Sequence, residues 1–174
     1  MNTVGDVAHA VDSAASALSD RLRTQPLANR AMYALSAAGD DGRIWFAAAA
    51  VEGIRRHSLR QTWSRSVGWL LLEAAVVNGP MKAAARRPRP VPRTGHEHHF
   101  RTPTGSSFPS GHAASAATMA VLLSAGSPLG PLWYLLAAGI GLSRVHVGVH
   151  HGSDVVGGFI VGAVFGVLAR QLER

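Results

Sequence analysis

A histidine and an aspartate stand four residues apart in this sequence, at His150 and Asp154. On one helical turn their side chains would share a face, and a carboxylate on one imidazole nitrogen leaves the other nitrogen free and basic. Such a pair forms a nucleophile or a general base. His146 and His151 are close by in the sequence, so the same stretch could instead hold a metal ion. This stretch alone leaves both interpretations open.

A second polar stretch, residues 82–90, is dense in permanent cations. Its basic residues are Lys82, Arg86, Arg87 and Arg89. Pro88 and Pro90 restrict the backbone on either side of Arg89. Several cations within nine residues can neutralise a phosphate group. The alternative is a basic patch beside the membrane that binds anionic lipid head groups.

A third stretch, Phe108-Pro109-Ser110-Gly111-His112, stands directly before an apolar segment. We expect Ser110 to cap a helix there and Gly111 to leave the first-turn amides unobstructed, which together form an anion site. His112 at its rim could donate a proton. The alternative is an ordinary turn with a solvated histidine.

The composition excludes several classes of chemistry and one class of partner. The chain has no cysteine, which rules out disulfides, thiolate zinc sites and cysteine nucleophiles. It has 17 Lys+Arg against 10 Asp+Glu, yet only 16% of its residues are charged. All the basic residues except Lys82 are arginines, a bias that is weak support for nucleic-acid binding. We expect no nucleic-acid partner.

Two long runs without Asp, Glu, Lys or Arg, residues 102–143 and 155–169, indicate a membrane protein. A chain of this length cannot easily bury such stretches in a core of its own. The sequence predicts an all-α integral-membrane bundle of about five spanning helices in a cell membrane. The predicted segments are residues 44–54, 66–81, 113–125, 132–142 and 155–169.

The chain divides at the turn Gly39-Asp40-Asp41-Gly42. Residues 1–38 carry apolar side chains at helical spacing and predict an amphipathic helical arm, with an interfacial helix as the preferred interpretation and a soluble cap as the alternative. Residues 39–174 form the predicted catalytic domain. In its last segment Gly158, Gly162 and Gly166 repeat every four residues, which predicts a close helix-packing face that a second copy could use.

Together the three polar stretches resemble the signature of the type-2 phosphatidic acid phosphatase family. The matching order is Lys82, six residues and Arg89-Pro90; then Pro109-Ser110-Gly111-His112; then Ser143-Arg144, five residues, His150, three residues and Asp154. The compact size and the arginine bias are similar to actinobacterial members that dephosphorylate polyprenyl-phosphoryl-phosphoribose.

The resemblance implies a lipid phosphate phosphatase that uses no metal or other cofactor. In that family a phosphohistidine forms, so the match implies that His150 attacks phosphorus, Asp154 holds its ring and His112 moves the proton. It assigns the phosphate to Lys82, Arg89, Ser110, Gly111 and Arg144.

The implied substrates are membrane lipid phosphates: phosphatidic acid, phosphatidylglycerol phosphate, or polyprenyl phosphates and diphosphates. A basic membrane adaptor that binds anionic lipid without catalysis is the alternative. His96, His98 and His99 flank Glu97, but structural zinc sites want four fixed ligands, so we expect these histidines to border the substrate entrance rather than to bind metal.

Overall fold

The computed structural model describes residues 3–91 and 104–172, and every regular element within those ranges is helical. The all-α prediction is therefore confirmed for the described ranges. The helices are α1 (Thr3–Arg23), α2 (Pro26–Gly39), α3 (Arg43–Arg55), α4 (Leu59–Val76), α5 (Lys82–Ala85), α6 (Gly111–Ser124), α7 (Gly130–His146) and α8 (Gly152–Leu172). His96, His98 and His99 lie outside the described residues.

Helix α6 is the centre of the bundle and packs against α4, α7 and α8. Its sequence is rich in alanine, so neighbouring backbones can approach it closely, and nearly all of it is buried. Trp45, Met119 and Ile140 are the largest fully buried apolar side chains of the core around it. We call the end where α6 and α8 begin, and where α2, α5 and α7 finish, the polar end.

The glycine stripe of α8 packs within the chain. A Cβ atom on Gly162 would lie 2.0 Å from the carbonyl oxygen of Ala114, and one on Gly158 would lie 2.5 Å from that of Ser110. Gly166 is likewise closed in by Val121. The predicted packing face is present, but its partner is α6 of the same chain. These buried glycines are therefore not available as an interface with a second copy.

Two predicted boundaries around α4 need correction. The helix begins at Leu59 rather than at the predicted residue 66, so Arg60 and Arg65 lie on the helix. At the other end, the helical path continues past Pro80 through a π-helical turn, Val77–Met81, into α5. A wider turn accommodates a proline ring and its missing N–H. Lys82 consequently lies on a helix, beyond the predicted end of this segment at residue 81.

The N-terminal arm is two helices instead of one, because Pro26 holds Gln25 in an extended conformation. Helix α1 crosses the polar end, where Ala15 contacts Gly152 and Ser19 contacts His146. Helix α2 packs along α7. The arm thus covers the polar end of the bundle.

One described helix, Gly152–Leu172, is long and apolar enough to cross a membrane by length and composition. Gly111–Ser124 is apolar but shorter. The other predicted segments coincide with helices that are shorter or more polar.

Candidate active site

The polar end encloses a cavity of about 500 Å³ that gathers most of the predicted site residues. The three sequence stretches meet there because α5 ends, α6 begins and the α7–α8 connection passes at the same end of the bundle. The predicted residues that line the cavity are Lys82, Arg89, Gly111, His112, Arg144 and His150.

His150 and Asp154 form a pair, though not on one continuous helix. His150 lies in the connection after α7, and Asp154 lies in the first turn of α8. Nδ1 of His150 is 3.6 Å from Oδ2 of Asp154, which also accepts a hydrogen bond from the backbone N–H of His151 at 2.8 Å. Asp154 is completely buried behind the histidine. The carboxylate therefore faces Nδ1, which leaves Nε2 as the nitrogen that can react.

The surroundings of His150 favour its neutral form. Burial lowers the pKa of His150, and the positive charges of Arg89 and Arg144 lower it further, while Asp154 acts in the opposite direction. Nη1 of Arg89 lies 3.5 Å from Nε2 of His150. A neutral imidazole with a free lone pair is the state that a nucleophile needs.

His112 has a carboxylate partner that we did not predict. Its Nε2 lies 2.9 Å from Oδ1 of Asp40, in the turn between α2 and α3, and we take Nε2–H as the donor. Arg144 also approaches this carboxylate, at 3.6 Å, and donates to Ser36 at 2.5 Å. Asp40 therefore orients His112, and its charge offsets part of the cost that burial and the nearby Arg144 impose on the protonated ring. The two histidines of the cavity each have their own aspartate.

Two cations of the site have buried hydrogen-bond donors that are not used within the described chain. Arg89 donates to the carbonyl oxygens of Val149, at 2.8 Å, and Ser106, at 3.2 Å, which fixes its direction. Lys82 donates to Oδ1 of Asn78 at 2.6 Å. Within the part of the chain that the structure describes, Nε of Arg89 and Nε of Arg144 are buried without a hydrogen-bond partner. An anion with several oxygens would satisfy such donors.

Ser110 occupies the N-cap position of α6 but does not cap it with its side chain. Its backbone N–H donates to the carbonyl oxygen of Asp154 at 3.0 Å, which ties α6 to α8. Its Oγ is buried and has no partner among the described residues, and Ser110 is not on the cavity lining. The expected side-chain cap is therefore wrong, and the phosphate contact of Ser110 stays a prediction.

Arg87, which the sequence showed only as one cation of a run, links the arm to the catalytic pair. Its Nη1 donates to Oδ1 of Asp154 at 2.6 Å, and its Nη2 donates to Oδ2 of Asp12 at 2.8 Å. Asp12 also accepts from the backbone N–H and the hydroxyl of Ser153, at 2.7 Å each. The position of Asp154 thus depends on a residue of α1.

The histidines of the 143–154 stretch do not form a metal centre. His146 is buried between α1 and α2, where it contacts Ser19 and pairs with Oδ1 of Asn29 at 2.8 Å. Over residues 3–91 and 104–172, no group of three or more His, Asp or Glu side chains could hold a metal ion. His146 instead links the end of α7 to α1 and α2 through these contacts.

The other half of the cavity is apolar. Its wall is made by α3 and α4, with the side chains of Phe46, Val67, Leu70, Leu71 and Ala74. Leu71 is 66% exposed and reaches the outer surface of the bundle. The cavity therefore has a cationic part near the two histidines and a hydrocarbon-like part toward the side of the bundle. A molecule with a phosphate and an apolar chain fits this division.

Comparison with known proteins agrees with this arrangement. The chain is 34% identical, over 156 residues, to a decaprenylphosphoryl-5-phosphoribose phosphatase of Mycolicibacterium smegmatis, which covers 89% of this chain and 84% of that protein. It is also 41% identical over 73 residues to an undecaprenyl-diphosphatase of Sulfolobus acidocaldarius, which covers 41% of this chain and 35% of that protein.

The fold has a counterpart among solved structures. A transmembrane PAP2 type phosphatidylglycerolphosphate phosphatase from Bacillus subtilis superposes with a TM-score of 0.71 over 99% of this chain and 87% of its own, at 22% identity. Residues 63–174 match the sequence model of the PAP2 superfamily, the type-2 phosphatidic acid phosphatases. These residues contain all three sequence stretches and both histidines of the cavity. This chain belongs to the PAP2 superfamily.

Proposed function

We propose that the protein is a metal-independent phosphatase that removes a phosphate group from a membrane lipid through a phosphohistidine on His150. The observation that carries the proposal is the cavity itself, in which a neutral histidine, an aspartate-bound histidine and three cations face the same space. Phosphate esters hydrolyse very slowly without a catalyst, and electrostatic stabilisation supplies most of what such a reaction needs.

In the first step, the Nε2 lone pair of His150 forms a bond to phosphorus as the bond from phosphorus to the leaving oxygen breaks. That oxygen takes a proton from His112, which Asp40 keeps oriented. Lys82, Arg89 and Arg144 bind the phosphoryl oxygens, joined in this proposal by Ser110 and the amide of Gly111. Asp154 compensates the positive charge that develops on the ring of His150.

In the second step, His112 is neutral and takes a proton from water. The water oxygen bonds to phosphorus as the N–P bond breaks, which releases inorganic phosphate and restores both histidines. In this cycle His112 transfers the protons, and side chains together with the Gly111 amide stabilise the charges.

The surface supports a multi-pass location in a cell membrane, with residues 39–174 as the catalytic part and residues 1–38 as the covering arm. Large apolar side chains point outward from α4, α7 and α8; Leu71, Leu135 and Ile160 are each more than 60% exposed. A surface of this kind favours lipid over water. The lipid tail of the substrate would lie in the apolar half of the cavity.

Among lipid phosphates, a polyprenyl-linked phosphoribose is our first candidate substrate, because the relative with that name aligns with most of this chain. The polyprenyl diphosphates and phosphatidylglycerol phosphate named for the other relatives are the next candidates.

The proposal is tested by phosphate release from purified lipid phosphates in detergent, with and without EDTA. We expect turnover to survive EDTA, and His150→Ala to lower kcat by at least about 10⁴-fold. The matched control is His9→Ala, which removes an exposed histidine of α1. Turnover that EDTA abolishes and a divalent metal restores would contradict the mechanism. Lipid binding without any phosphate release would favour the basic adaptor.

A further inference from the structure

The cavity wall beside His112 carries a polar pair that the proposed chemistry does not use. Oγ of Ser115 on α6 donates to Oε2 of Glu73 on α4 at 2.6 Å. Glu73 is fully buried, and all the other residues in the range 70–77 are apolar. A carboxyl group inside a membrane bundle is costly, and for that reason such residues commonly mark functional sites.

Glu73 is only half satisfied. Its Oε1 atom is buried and has no hydrogen-bond partner anywhere in the described ranges. Because a buried carboxyl oxygen without a partner destabilises the fold, packing alone gives no reason for a glutamate here.

Ser115 places this pair next to the leaving group. It follows His112 by three residues, so it lies on the same face of α6, one turn deeper in the bundle. Between Ala113 and Leu123, all residues of α6 except Ser115 are buried. Ser115 is partly exposed and lines the cavity. In the proposed mechanism His112 protonates the leaving oxygen, so the group attached to that oxygen would be within reach of Ser115 in the same cavity.

The hydrogen bonds within this wall determine what it can offer to a ligand. When the hydroxyl hydrogen of Ser115 is donated to the Glu73 carboxylate, its oxygen faces the cavity as an acceptor. Asn78 lines the same cavity, and its Oδ1 is used by Lys82, so its amide nitrogen remains to donate. A hydroxyl group can satisfy both neighbours because it donates and accepts. A prenyl chain or an acyl ester cannot donate to Ser115.

We infer that Ser115, held by Glu73, is a specificity contact for a leaving group that carries hydroxyls next to the scissile phosphate. The preferred substrate class is then a sugar or glycerol phosphate attached to a lipid, ahead of a polyprenyl phosphate without hydroxyls. This inference rests on the proposed function, since it assigns the leaving-group side of the same site.

The test compares two substrates that differ only at the hydroxyls. We would measure kcat/KM for farnesylphosphoryl-5-phosphoribose and for its 2,3-dideoxy analogue, both in detergent. The wild-type protein should prefer the hydroxylated substrate by about tenfold or more, because the analogue leaves buried polar groups unpaired.

Variants locate the source of that preference. Ser115→Ala should lower the ratio of the two kcat/KM values about tenfold. Glu73→Met should do the same, whereas Glu73→Gln should keep most of the ratio because its amide oxygen still accepts from Ser115. Ser124→Ala is the matched control, since Ser124 is on the same helix at its far end and does not line the cavity.

Two results would overturn the inference: a wild-type ratio near one, or a ratio unchanged in Ser115→Ala, including the case where both substrates lose activity equally. If Glu73→Met does not fold, Ser115→Ala and Glu73→Gln still decide the matter. Failure of the proposed function looks different, because the wild-type protein would then release no phosphate from either substrate or from decaprenyl phosphate.

Discussion

The two ends of the bundle bury polar groups in opposite ways. At the end away from the cavity, Glu52 on α3 is fully buried and both of its oxygens are satisfied. Oε1 accepts from Ser127 and from Nε1 of Trp133, and Oε2 accepts from Arg55 at 2.8 Å and Arg56 at 3.0 Å. This cluster joins α3 to α7 and to the turn before it.

At the polar end, burial leaves hydrogen-bonding capacity unused. Buried side-chain atoms without a hydrogen-bond partner in the described chain include Oγ of Ser110, Nε of Arg89 and Nε of Arg144. Since an unpaired buried polar atom costs free energy, the fold tolerates this cost where a ligand will supply the partners. We therefore assign a structural role to the satisfied Glu52 cluster and a ligand-binding role to the unsatisfied donors around the cavity. The predictions below challenge that distinction.

The largest effect in this series is expected for Asp154→Asn. We expect kcat to fall by about 10³-fold, because the ring of His150 loses both its orientation and its counter-charge. His150 must be neutral to attack, and its lowered pKa keeps it neutral below the ordinary imidazole value of about 6.5. The acidic limb of activity in the wild-type protein should therefore lie below that value.

Asp154 raises the pKa of His150, so its replacement should move the acidic limb to still lower pH. Wild type and variant are compared on one substrate, so the ionisation of the substrate phosphate cancels. An acidic limb that does not move while the rate falls would mean that Asp154 acts by orientation alone.

Asp40→Asn should lower kcat by about 10²-fold on a lipid phosphate, because His112 loses the carboxylate that holds it. The loss should be much smaller on p-nitrophenyl phosphate, whose leaving group needs no proton. Asp41→Asn is the control, since Asp41 pairs with Arg43 and does not bond to His112. Equal losses on both substrates would remove Asp40 from the proton-transfer step.

Asp12→Asn should lower kcat about tenfold with little change in KM. Asp12 holds Arg87 and Ser153, and through Arg87 it steadies Asp154 without touching the substrate. The exposed Asp6 on the same helix provides the control variant Asp6→Asn. A kcat like that of the control would show that α1 covers the site without positioning it.

The smallest effect on activity is expected for Glu52→Ala. Removing one partner of a buried ion pair costs about 3–5 kcal/mol, so the apparent Tm should fall by about 5 °C or more. The kcat of the folded fraction should stay within about twofold of wild type. A large fall in kcat at a temperature where the variant is folded would break the distinction between the two ends.

The sequence predicted which residues share the cavity better than it predicted the residues that hold them in place. Six motif residues line one cavity, because their sequence stretches stand at helix ends that lie together at the polar end. Asp40 and Asp12 were missed because their partners lie 72 and 75 residues away, and such pairs depend on helix packing that no periodicity encodes. The doubled aspartate of the turn before α3 was visible, but the sequence did not show which histidine it would face.

The fold showed the same limit. Apolar runs located α3, α6, α7 and α8 to within a few residues, whereas the path through Pro80 and the start of α4 were misjudged. At Pro80 a π-helical turn replaces the expected helix end, and near Leu59 arginines are accommodated on a helix, where Arg65 donates to the carbonyl oxygen of Ala169. Local propensity was overridden there by tertiary contacts.

The central claim is that His150 carries the phosphoryl group, and trapping the intermediate tests it most directly. His112→Ala would be mixed with ³²P-labelled p-nitrophenyl phosphate, quenched and mapped after digestion at neutral pH. The first step proceeds because p-nitrophenolate leaves without a proton, whereas the second step is slow because no base activates the water. Label should therefore accumulate as acid-labile, base-stable phosphate. We predict that this label lies on His150 and that it is absent from the double variant His112→Ala/His150→Ala. Label that persists in the double variant, or that maps to another residue, would contradict the account.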